Sequence, residues 1–199
     1  QEADAEWLNR KRKRAGGEET EPLYTMQDAE GVLQLFTPCH YGELVHVAEG
    51  IDIRFIDAGH LLGSASIEVF LKEDGVEKKL VFSGDIGNLN QPLIKNPTYP
   101  TTADYVIMES TYGDRSHGPK PDYERSLAGI IAETLSRGGN VVIPCFAVGR
   151  TQEVLYFLRK IRADGMVPGF EKVDVWLDSP LAIEATRIFD EQTRECFDD

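Results

Sequence analysis

Phe55-Ile56-Asp57-Ala58-Gly59-His60-Leu61-Leu62-Gly63-Ser64 and Phe82-Ser83-Gly84-Asp85-Ile86-Gly87 are the two stretches that decide how this chain folds. In each, a run of apolar and β-prone residues leads to one polar side chain and is released by glycine. That pattern predicts strands ending at the rim of a sheet, with an imidazole in one case and a carboxylate in the other projecting into a shared cleft. Nitrogen and oxygen donors so placed suit a divalent metal. Val106-Ile107-Met108-Glu109-Ser110-Thr111-Tyr112-Gly113-Asp114-Arg115-Ser116-His117 repeats the design: its acid ends a strand 24 residues past Asp85, which is itself 25 past His60. Taken singly, each has a plainer reading. A lone histidine is commonly a hydrogen-bonded structural group, an aspartate between glycines a turn residue, and a glutamate at a strand end one half of an ion pair, here with Arg115.

Around these stretches the periodicity changes twice. Residues 3 to 15 read as a polar helix stopped by Gly16-Gly17. Thr25 to Asp28 resembles a capping box opening a second helix over 26 to 36, whose Met26, Ala29, Val32, Leu33 and Phe36 predict one inward face. Strands follow at 44 to 47, 51 to 57, 66 to 72 and 79 to 83, with Asp74-Gly75 as the hairpin turn between the last two. A loop rich in asparagine and proline spans 88 to 103, and the apolar run from Tyr105 to Glu109 predicts a strand buried on both faces. Beyond a boundary at Gly118-Pro119, helix and strand alternate as in a parallel sheet with crossover helices. A helix bearing Leu127, Ile130, Ile131, Thr134 and Leu135 is followed by a strand at Val141 to Ile143. Thr151 is read as the cap of the next helix, Val173 to Leu177 as a strand, and Ser179-Pro180 as the start of a last helix with Leu181, Ala185, Ile188 and Phe189 inward.

A chain of 199 residues with 41% apolar content can bury a sizeable core. It has no apolar run of the ~20 residues a membrane span needs, and its first residues are acidic and polar, unlike a secretory signal. Its three cysteines, Cys39, Cys145 and Cys196, are scattered and lack a C-x-x-C pair, which fits a reducing cytoplasm and predicts no disulfide framework. The net charge of −13 disfavours nucleic-acid binding through phosphate neutralisation alone. The basic run Arg10 to Arg14 reads as a solvated helix face or, less simply, an RNA contact.

The segments around His60, Asp85 and Glu109, in this order and spacing, resemble the metallo-β-lactamase superfamily, specifically its β-CASP branch of RNA-processing nucleases. Pro144-Cys145-Phe146-Ala147-Val148-Gly149-Arg150-Thr151-Gln152-Glu153 resembles that branch too. The resemblance implies a zinc-binding histidine at His60, a carboxylate bridging two zincs at Asp85, and the start of β-CASP motif A at Glu109, which would support the acid that protonates the leaving oxygen. His117 matches an Asp-Arg-x-His ending, as a substrate contact or a loop anchor. Arg150, at a helix start, is either a phosphate receiver or a solvated surface residue, and Ser64 is a further candidate substrate contact.

The family's His-x-His-x-Asp-His motif is absent: the histidines stand at 40, 46, 60 and 117. The expectation is therefore an internal piece of a longer enzyme, with the rear part of an αββα metallo-β-lactamase sandwich over 1 to 117 and the start of a β-CASP α/β domain over 118 to 199. The parent would be a cytoplasmic hydrolase of single-stranded RNA holding two zincs, and a possible homo-oligomer, while the fragment itself would bind metal weakly or not at all. Two other functions stand beside this one: a hydrolase of a small thioester or lactam on the same fold, and a non-catalytic scaffold that has lost its metals.

Overall fold

Asp74 and Gly75, both at positive φ (49° and 76°), form the tight two-residue turn the sequence predicts. They join β3 (Ala65–Glu73), the longest strand of the sheet, to β4 (Val76–Phe82), in register from Glu73↔Val76 to Ile67↔Phe82. The computed structural model describes residues 1–14, 16–116, 118–119 and 121–191. Its sheet has five strands in chain order, with β1 (Leu44–Ala48), β2 (Ile51–Asp57), β3 and β4 antiparallel and β5 (Tyr105–Ile107) parallel to β4. Among the described residues five α-helices accompany the sheet: α1 (Glu2–Lys13), α2 (Met26–Leu33), α3 (Tyr123–Ser136), α4 (Arg150–Ala163) and α5 (Pro180–Glu191).

Strand direction decides where the polar side chains emerge. Since β2 and β4 are each antiparallel to β3, they run the same way, and β5 runs with β4. The C-terminal ends of β2, β4 and β5 therefore share one edge of the sheet, and those ends lead to His60, Asp85 and Glu109. One sheet face carries a charged cluster across three strands. Glu68 of β3, only 3% exposed, receives Arg54 Nε of β2 at 2.6 Å and Lys79 Nζ of β4 at 2.5 Å. Both cations also lie over the Phe70 ring, at 5.4 and 5.6 Å. Burial by itself would raise the Glu68 pKa, but the two hydrogen-bonded cations outweigh it and hold the carboxyl below its ordinary value.

Backbone contacts divide the chain into Gln1–Cys39 and His40–Asp199. In the first unit, Asn9 and Thr20 exchange hydrogen bonds (2.9 and 2.7 Å), and Thr25 and Asp28 form the expected capping box. The inward face predicted for the second helix is not found: α2 stops at Leu33 and buries no side chain. A two-turn helix in a 39-residue unit has no core to receive an apolar stripe. The second unit contains the sheet and the helices after it, and the position 118 boundary lies inside it. Ala128 and Ile131 of α3, Ile161 of α4, Val167 and Phe170 form its helical core, with Leu158 and Val173 packed alongside. Lys160 bonds Glu124 between α4 and α3 (2.7 Å), and Gln152 bonds Thr186 between α4 and α5 (3.0 Å).

Other expectations need correction. The strand from residue 105 ends at Ile107, and Tyr105, Val106 and Ile107 are exposed, because among the described residues β5 pairs with β4 alone, at the edge of the sheet. Val141–Ile143 and Val173–Leu177 join no sheet: a strand needs a partner ladder, and among the described residues neither segment has one. Val142 is 86% and Trp176 85% exposed. Gly149, not Thr151, caps α4, because Thr151 turns its hydroxyl back to the Phe146 carbonyl (2.6 Å). In α5, Ala182, Ala185 and Phe189 face inward while Leu181 and Ile188 are exposed, and Ser179 accepts the Ala182 amide as the predicted cap.

Glu68→Gln should cost roughly 2 kcal/mol at neutral pH, the range for a lost charge-assisted bond, or some 4–8 °C in Tm for a chain this size. Because the folded-state pKa of Glu68 is depressed, its contribution is present above the ordinary value of 4.5 and is lost as pH falls through the lower folded value. Melting curves of both proteins from pH 7 to pH 3 should therefore converge only on the acid side. A constant gap would assign the loss to packing instead.

Candidate metal centre at the strand ends

Two glycines bring the first two loops together. The Gly87 amide donates to the Ala58 carbonyl (2.8 Å), and the backbones are so close that a Cβ on Gly87 would lie 1.5 Å from the Gly59 carbonyl oxygen. A Cβ on Gly59, which is at φ 59°, would in turn meet Pro97 at 2.5 Å. No residue with a side chain fits either place. His60 leaves this contact directly, and its loop is closed by Ser64, whose Oγ accepts the amides of His60 (3.0 Å) and Leu61 (3.1 Å). Asp85 lies between Gly84 and the Ile86-Gly87 pair, and the His60 and Asp85 side chains are both exposed.

Glu109 is tied to the Asp85 loop. Its Oε1 accepts the Ile86 amide at 2.7 Å, and its own amide donates to Ser83 Oγ at 3.0 Å. The Glu109 carboxyl is held below its usual range, first by the Ile86 amide, then by the Thr111 hydroxyl, with burial opposing and the His60 ring adding a small pull. Through the Asp85 loop, which meets the His60 loop at Gly87, Glu109 is linked to the same edge of the sheet. Asp57, at the end of β2, behaves oppositely: burial raises it, against the Gly59 amide (2.8 Å) and Lys95.

The start of α4 borders the same rim, because a Cβ on Gly149 would come within 2.4 Å of Leu61 Cδ2. Arg150 there turns its guanidinium onto Glu153. Ser64 spends its hydroxyl's acceptor capacity on the His60 loop. His117 lies outside the described residues. The structure thus gathers His60, Asp85, Glu109, Ser64 and the α4 start at one edge. The sequence gives no sign of the part played by Ser83 and Gly87. Both stand within three residues of Asp85, but burial of the Ser83 hydroxyl and the Gly59–Gly87 contact depend on which strands are neighbours.

Imidazole and carboxylate on adjoining glycine loops are a suitable donor set for zinc. They are only part of one. Among the described residues no three His, Cys, Asp or Glu side chains cluster as a metal site, whereas a zinc takes about four donors.

No protein-family model matches the chain. It is 40% identical over 162 residues to the ribonuclease TTHA0252 of Thermus thermophilus, covering 81% of this chain and 35% of that protein. It is 34% identical over 169 residues to an RNase J-like protein of Methanocaldococcus jannaschii (83% and 38%), and 39% identical over 158 to the transcription termination factor FttA of Methanosarcina mazei (76% and 23%). A mixed α/β chain with acid and histidine at successive strand ends is compatible with part of a metallo-β-lactamase fold. Together with these relatives, it identifies the chain as a member of the β-CASP branch of the metallo-β-lactamase superfamily. The chain spans about a third of the length of the curated relatives it matches.

The loop contact can be tested with two glycines. Gly87→Ala must part the His60 and Asp85 loops and should destabilise by about 3 kcal/mol, as overpacking against backbone does. Gly63→Ala, with φ 79° but open space around its Cβ, should lose only the ~1–2 kcal/mol of a left-handed residue. Urea unfolding ranks them, and equal losses would mean that the peptides at Gly87 and Gly59 have room to separate at no cost.

Proposed function

We propose that the whole protein is a zinc-dependent hydrolase of RNA phosphodiester bonds. Residues 1 to 117 contribute the rear of its metallo-β-lactamase domain, and 118 to 199 the beginning of its β-CASP domain. The observation that carries this reading is the joining of the His60 and Asp85 loops at Gly59 and Gly87, in a chain whose relatives include proteins named as ribonucleases. His60 and Asp85 would hold zinc with donors from the rest of the protein. Zinc, when bound, supplies the charge that activates water and neutralises the phosphate in transition. Glu109 stays ionised next to the Asp85 loop, where a carboxylate can orient a general acid for the leaving oxygen. At −13 net charge the chain offers little phosphate attraction of its own, which suits a single-stranded substrate held at few points near metal ions. Ser64, bonded to the His60 loop, and Arg150, at the start of α4, are the candidate RNA contacts on this chain, with His117 a further one from the sequence.

Cleavage of a labelled single-stranded RNA by the full-length protein tests this. His60→Ala and Asp85→Ala should each lower turnover about a thousandfold, near 4 kcal/mol of lost transition-state stabilisation. Intact RNA alongside consumption of a thioester would favour a small-molecule hydrolase, and purified protein with less than about one zinc per chain a scaffold. The 199-residue chain alone should neither cut RNA nor retain zinc through dialysis; stoichiometric zinc on it would show that the donor set is already complete.

A further inference from the structure

Ser83 is 4% exposed and hydrogen-bonded through its amide, its carbonyl and its hydroxyl. Its amide donates to the Ile107 carbonyl (2.9 Å), and its carbonyl accepts the hydroxyl of Ser66 (2.7 Å). Its own Oγ donates to the Gly84 carbonyl (2.7 Å) and accepts the Glu109 amide (3.0 Å). Glu109 returns the connection through its carboxylate to the Ile86 amide, at 2.7 Å. One residue on β5's continuation therefore grips the Asp85 loop at two points, Ser83 on one side of Asp85 and Ile86 on the other. Between those points stands Gly84, at φ 56°, a backbone conformation that residues with side chains rarely adopt.

We propose that Ser83 is a positioning residue. Its hydroxyl, working with the Glu109 carboxylate, clamps the Ser83–Gly87 loop so that Asp85 is presented at a fixed place on the rim beside His60. Groups that orient a metal ligand without touching the metal usually change its affinity. Ser83 does so through backbone, by fixing the chain on which the carboxylate is mounted. This deepens the reading of the site as a zinc centre and rests on it for its purpose, though not for its geometry.

The test uses the full-length protein with Ser83→Ala and Ser83→Thr. Threonine keeps the Oγ, and Ser83 is among the residues lining a cavity of about 280 Å³. Two readouts are taken: hydrogen exchange of the 84–87 amides in zinc-free protein, and the zinc dissociation constant from competition with a chromogenic chelator. Ser83→Ala should speed exchange roughly tenfold, as loss of one hydrogen bond does, and weaken zinc roughly ten- to a hundredfold. Ser83→Thr should stay within about threefold of the parent on both, since its clamp bond is kept. Unchanged exchange in Ser83→Ala overturns the clamp. Faster exchange with unchanged zinc affinity overturns the positioning role. If the parent protein binds no zinc, the nuclease reading fails, and the exchange result with threonine rescue decides the clamp by itself.

Discussion

The site depends on a backbone-to-backbone contact that admits no side chain. Where Gly87 meets Gly59 and Ala58, two loops from strands that are not neighbours in the sheet approach as closely as peptide groups can. A hydrogen bond alone would leave the loops free to pivot. The absence of Cβ atoms lets the peptides interlock, so the distance from the end of β2 to the end of β4 is set by covalent geometry more than by rotamers. The imidazole and carboxylate then inherit that precision from the glycines close to them in the chain.

Around this contact the chain uses polar groups for shape more than for strength. Ser64, Ser66 and Ser83 each direct a hydroxyl to backbone, and the described residues contain no buried side-chain nitrogen or oxygen without a partner. Short hydroxyl side chains can satisfy loop amides in a space too narrow for an amide or a carboxylate. The charged cluster of Arg54, Glu68 and Lys79 has a comparable effect on the sheet face, where cross-strand pairs set register. The rim's chemistry is concentrated in two donors and one ionised acid.

Local signals in the sequence carry far, and non-local ones do not. Asp74-Gly75, the capping pair Thr25 and Asp28, and Ser179-Pro180 act within a few residues, and each forms what its composition predicts. The positions of His60 and Asp85 past their strand ends are legible because Gly59 and Gly84 stand just beyond β2 and β4, and that of Glu109 because an apolar, β-prone run leads up to it. Val141–Ile143 and Val173–Leu177 differ from expectation because β-propensity states what a segment would do given a partner, and pairing, like the covering that leaves Tyr105–Ile107 exposed, is a property of other parts of the fold. Ser83 is hidden for the complementary reason, since its importance arises only once β5 lies parallel to β4.

That parallel pairing has only three residues, on an edge with nothing beyond it among the described residues. Glu109 reaches the Asp85 loop from this short strand, while His60 is held by the far longer ladder of β2 and β3. Fraying of β5 would thus release the acid while the histidine stayed in place, so the rim comes apart in a set order. An opening that starts at this three-pair ladder parts Glu109 from the Asp85 loop before the seven-pair ladder behind His60 is touched.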